Sequence, residues 1–106
     1  MKNEIKARYE SATKNQQDAF MTLLDKCLDN MGGVLPSDLA YDMYTWCDAS
    51  TLVDSGRWTK PEAAGTYGWL IDSGLVQDHF DGDTLPLYEE DCHLFDNDYK
   101  EWSSNK

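Results

Sequence analysis

Two histidines, three cysteines and twenty carboxylates are the side chains of this 106-residue chain whose types suit chemistry. His79 stands alone, and His93 directly follows Cys92. Adjacent residues cannot reproduce the spaced ligand pairs of a structural zinc site, so only the fold could bring Cys47 and His79 to them. Cys27, Cys47 and Cys92 are odd in number and lack CxxC spacing, so they read as thiols of a reducing cytosol. Asp81-Gly82-Asp83 and Asp96-Asn97-Asp98 hold calcium-loop residue types, but neither has the D-x-[DN]-x-[DN]-G spacing with a distant Glu. Asp, Asn and Gly are also the residues that turns select. No GxSxG, P-loop or dinucleotide fingerprint occurs. These readings lead to a chain that is not an enzyme, holds no metal or cofactor, and works by binding.

What remains is charge, and it is uneven. Residues 1–60 carry nine acids and seven bases, whereas residues 61–106 carry eleven acids and two bases. The formal charge of −11 therefore falls mostly on the second half. Such a lopsided distribution points to an interaction surface rather than to solubility alone. A negative surface repels phosphate and attracts basic partners over roughly 8 Å, the screening length at physiological salt. No apolar run approaches the roughly 20 residues of a membrane span, and none resembles a secretory signal. The expectation is one cytoplasmic domain over 1–106, with no membrane partner.

The elements that must position these groups follow from periodicity and punctuation. Phe20, Leu23, Leu24, Cys27, Leu28 and Met31 mark an amphipathic helix, and Thr13 with Gln16 predicts a capping box at its start. Ile5, Tyr9 and Ala12 keep helical spacing ahead of it, making 1–31 a helical segment. Ser37 is a candidate N-cap, and Leu39, Met43, Trp46 and Cys47 share a helical face, with Tyr41 and Tyr44 off it. Asp48 is placed to cap a short helix through Leu52 and Val53, ended by Gly56. Thr59 and Glu62 form a second capping box with Pro61 in its first turn. Ala63, Ala64, Tyr67, Leu70 and Ile71 are the expected buried stripe, closed by Gly74. Gly65 and Gly68 read as sites of close packing. Leu75–Phe80 and Thr84–Tyr88 read as a hairpin around Asp81-Gly82-Asp83, with Pro86 marking the returning strand as an edge. Cys92, Phe95, Tyr99 and Trp102 allow a helix in the acidic segment 89–106. Trp46, Trp58, Tyr67, Phe80 and Phe95 are expected in the core.

The result is a mainly α domain with a small β-hairpin. Its stretch TWCDASTLVDSGRWTKPEAAGTYGWLIDSGLV resembles a winged helix-turn-helix domain over 37–88, with an N-terminal helical extension. That resemblance makes Thr59–Ser73 the recognition helix and Asp81-Gly82-Asp83 the tip of the wing. In DNA-binding members these surfaces are basic. Here they would present Glu62, Thr66, Trp69 and Ser73 with Asp72 beside them, then Asp78, Asp81 and Asp83. Arg57 and Lys60 are the nearby cations. Reversed in sign, the face opposes direct DNA binding.

Three uses of such a surface can be separated. As a blocker, the chain would offer Glu62, Asp72, Asp78, Asp81, Asp83, Glu89, Glu90 and Asp91 to a basic nucleic-acid-binding protein, with Trp69 as aromatic anchor. In size, charge and compactness it resembles the small acidic inhibitors of bacteriophages and mobile elements, anti-CRISPR and anti-restriction proteins among them. As a transcriptional regulator, it would bind DNA through Lys2, Lys6, Arg8 and Lys14, as a monomer or as a homodimer on a palindrome. As an enzyme, it would need a constellation that the sequence does not provide.

Overall fold

The computed structural model describes residues 4–41 and 46–105, and for Ala40, Tyr41 and Glu89 the backbone alone. Met43, Tyr44, Lys2 and the side chain of Tyr41 thus lie outside the described residues. The architecture is mainly helical with a small antiparallel sheet. Helices α1 (Glu4–Ser11) and α2 (Lys14–Met31) are followed by a 3-10 turn, Pro36–Tyr41, and strand β1 (Trp46–Cys47). Next come α3 (Ser50–Asp54), α4 (Lys60–Ser73), β2 (Gln77–His79), β3 (Gly82–Thr84), α5 (Glu89–Leu94) and α6 (Asp96–Ser104).

Helix α2 is the axis of the core. Ala19, Phe20, Met21, Leu23, Leu24 and Leu28 are inaccessible to solvent or nearly so, because α1, the 3-10 turn, β1, α3, α4 and α6 all pack on this helix. Its start is separated from α1 by the capping box: Gln16 N–H donates to Thr13 Oγ1 at 3.2 Å, and Thr13 N–H donates to Gln16 Oε1 at 2.9 Å. That reciprocal cap ends any continuity of the two helices. It also lets α1 turn back so that Tyr9, Phe20 and Phe95 meet with ring centroids 5.3–5.5 Å apart. Lys6 bonds Asp98 and the Leu94 carbonyl, fastening α1 to the C-terminal helices.

Several sequence expectations are corrected. Trp46 and Cys47 lie in a strand, not on a helical face. Strand β3 is the centre of the order β1-β3-β2, and it ends at Thr84, so Pro86 falls beyond the sheet rather than on an edge strand. Ser37 sits inside the 3-10 turn, where its N–H donates to Asp96 Oδ1. Asp38 does the capping instead, accepting from the Val34 and Leu35 N–H groups at 2.6 and 2.8 Å. A Cβ at Gly65 or Gly68 would meet nothing within 4 Å, so neither glycine serves close packing. In the expected stripe of α4, Ala63, Tyr67 and Leu70 are buried, Ile71 is half-buried and Ala64 is exposed.

Candidate acidic interaction surface

Helix α4 and the β2–β3 hairpin carry most of the expected surface. Thr59 and Glu62 form the second capping box: Glu62 N–H donates to Thr59 Oγ1 at 3.3 Å, and Thr59 N–H donates to Glu62 Oε1 at 2.9 Å. The Thr59 backbone N–H, followed by its side chain, holds the Glu62 carboxyl below the usual carboxylate range. Gly74 closes the helix in the left-handed region, at φ +85°, so the chain reverses directly into Leu75 and Val76, both buried. From Gln77 to Asp81 every residue is exposed.

Register decides which side chains share a face. Cys47, Asp83 and Asp78 lie in one row across the three strands, and Trp46, Thr84 and Gln77 in the next. The first row faces α4. There the Tyr67 hydroxyl donates to Asp83 Oδ2 at 2.5 Å and lies 3.7 Å from Cys47 Sγ. Burial, then the hydrogen bond to Asp83, pushes the Tyr67 phenol far above its ordinary range. Burial likewise lifts the Cys47 thiol to about 12, Tyr67 partly opposing it by hydrogen bonding. Like charges directly opposite one another weaken a sheet, so Asp78 opposite Asp83 is tolerable because Tyr67 supplies Asp83 with a donor.

The second row faces outward. Trp46 is 42% exposed and its ring packs against Gly82, where a Cβ would come within 2.8 Å of the ring. Gly82 also has φ +146°, beyond the ordinary reach of L side chains. His79 Nε2 meets Thr84 Oγ1 at 3.1 Å on this face. Phe80, in the turn between the strands, is fully exposed.

The structure thus divides the sequence-predicted contact residues. Glu62, Asp72, Asp78, Asp81 and Glu90 are exposed, and none of the five forms an ion pair among the described residues. Asp83 is half-buried and committed to Tyr67. Asp91 is 4% exposed and accepts from the Tyr88 N–H at 3.3 Å, so it caps α5 rather than meeting a partner. The Glu89 side chain lies outside the described residues. Trp69 is half-buried against the core and does not stand out as an anchor. Trp58, Tyr67 and Phe95 are core residues, but Trp46 and Phe80 are not. Sequence reading missed Phe80 because alternation assigned it to a strand; its position directly before Asp81-Gly82 was the available sign that it belongs to the turn.

Of the two nearby cations, Lys60 is exposed and forms no ion pair among the described residues, whereas Arg57 is engaged. Arg57 grips Asp18 through Nε and Nη2, each at 3.2 Å, and also donates to Thr22 Oγ1. Asp18 Oδ1 receives the Trp102 indole N–H at 2.8 Å as well, so Arg57 ties the turn after α3 to α2 and α6. Among the described residues there is no group of three or more His, Cys, Asp or Glu suited to a metal ion. No described helix is long and apolar enough to cross a membrane. No family model, curated protein or solved structure matches the chain.

Proposed function

We propose that this chain is an acidic protein-binding inhibitor that occludes a basic nucleic-acid-binding surface of a host protein, in the manner of phage anti-defence proteins such as anti-CRISPRs. The observation that carries the reading is the state of the carboxylates. Glu62, Asp72, Asp78, Asp81 and Glu90 reach solvent without an ion pair among the described residues, while Arg57 is held by Asp18 and Lys6 by Asp98. A protein groove that grips duplex DNA must oppose one negative charge per roughly 1.7 Å of axis. Carboxylates compete for the same Arg and Lys side chains. Steering by the net charge speeds association and weakens with salt. The mode of action is competitive occlusion in the host cytoplasm, with no covalent step.

The order α3, turn, α4, hairpin supports the winged helix-turn-helix resemblance. It also supplies the alternative, a DNA-binding regulator; in the N-terminal basic cluster Lys6 pairs with Asp98 and Arg8 lies 3.9 Å from Glu4, while Lys14 is exposed without an ion pair among the described residues.

Capture from host lysate tests the proposal. The wild-type chain is expected to retain a basic nucleic-acid-binding protein that elutes as salt rises. A Asp72→Lys/Asp78→Lys/Asp81→Lys variant, which spares the structural Asp83 and Asp91, is expected to lose it. Equal capture by the variant would remove the acidic surface as the contact.

A further inference from the structure

We infer that the contact has an apolar centre, Phe80 in the exposed turn of the β2–β3 hairpin, and that it fits a partner pocket lined by apolar side chains and rimmed by Arg or Lys. This rests on the reading that the acidic surface meets a basic protein, and it adds what that reading lacks, an anchor.

Phe80 is the most exposed large hydrophobic residue of the described chain. It sits between β2 and β3, with Asp78 two residues before it and Asp81 immediately after. Both acids are exposed and lack an ion pair among the described residues. Trp46, Gln77, His79 and Thr84 share the outward face beside the tip, and the absence of a side chain at Gly82 admits the Trp46 ring. An aromatic side chain surrounded by polar groups is the usual composition of an interface hot spot and its rim.

Charge selects the occupant. A nucleic acid would stack bases on the aromatics but bring phosphates against Asp78 and Asp81. An anionic membrane meets the same repulsion. A second copy joined by a two-fold axis at the hairpin would bring Asp78 and Asp81 near their own equivalents. A cation-rimmed apolar pocket alone satisfies both the ring and the carboxylates.

Two synthetic peptides of equal charge provide the test, one of alternating Arg and Leu and one of alternating Arg and Ser, titrated calorimetrically into the full chain. The wild type is expected to bind the Arg/Leu peptide about tenfold more tightly than the Arg/Ser peptide, a difference typical of one good anchor. Phe80→Ala, at a solvent-exposed position, should erase that difference while leaving the Arg/Ser affinity intact. Asp78→Asn/Asp81→Asn should weaken both. If the wild type shows no preference, or Phe80→Ala keeps it, the aromatic anchor is wrong while the acidic reading stands. Failure to bind either peptide overturns both. A dimer in sedimentation equilibrium that Phe80→Ala abolishes would assign the face to a second copy and overturn the proposal.

Discussion

Tyr67 is the side chain on which the sheet's position over α4 depends. It is 7% exposed, and its hydroxyl serves Asp83 and Cys47 together. Replacing Tyr67 by Phe leaves the Asp83 carboxylate without that donor, opposite Asp78. A hydrogen bond to a charged group contributes about 1.5–3 kcal/mol, so denaturant unfolding of Tyr67→Phe should show a loss of that order. Asp83→Asn in the same chain should recover part of it by removing the like-charge pair. Titration offers a second check. Cys47, Tyr9 and Tyr99 are each lifted to about 12, burial being the largest cause in all three. Their ordinary values are 9.0 for the thiol and 10.0 for the phenols. Because the folded values are raised, folding favours the neutral forms. That stability is complete below about pH 9 and is lost as pH climbs toward 12. Thermal melts should therefore hold level to about pH 9 and fall steeply beyond it; a flat profile to pH 12 would contradict the burial of these groups.

Among the elements, those with their own chemical punctuation were legible in the chain. Thr13 with Gln16 and Thr59 with Glu62 mark helix starts because each needs a short-range donor and acceptor at fixed spacing, and both boxes form as expected. Gly32 and Gly74 close the same two helices in the left-handed region, which few other residues adopt. Replacing Thr59 by Ala should cost about 1 kcal/mol, measured by denaturant unfolding, and lower the helical circular dichroism signal little. Elements defined by distant partners were not legible. The two-residue strand Trp46–Cys47 exists because β3 offers it a ladder, and its residues fit a helical face equally well by spacing. The break between α5 and α6 at Phe95 was also hidden, since Cys92, Phe95, Tyr99 and Trp102 keep helical spacing across it. For the candidate site, the acids were visible in the sequence, but their roles were not. Asp83 and Asp91 look like Asp78 and Glu90 until the fold supplies Tyr67 to one and the Tyr88 N–H to the other.

At the scale of the molecule, the structure partitions its charges by use. Asp18, Asp25, Asp38, Asp83, Asp91, Asp96 and Asp98 accept hydrogen bonds that fasten turns and helices together. Glu62 caps α4 through the Thr59 N–H, whereas Asp72, Asp78, Asp81 and Glu90 have no such internal employment among the described residues, and the cations Arg57 and Lys6 are withdrawn from neutralising them. A chain of formal charge −11 built this way favours a cationic partner and repels phosphate. The most direct test uses the captured partner preloaded with a labelled DNA duplex. The wild-type chain should release the duplex, at concentrations that rise with salt, and Asp72→Lys/Asp78→Lys/Asp81→Lys should need at least about tenfold more. Release by both chains at the same concentration, or direct binding of the duplex by the wild-type chain in place of its release, would contradict the account.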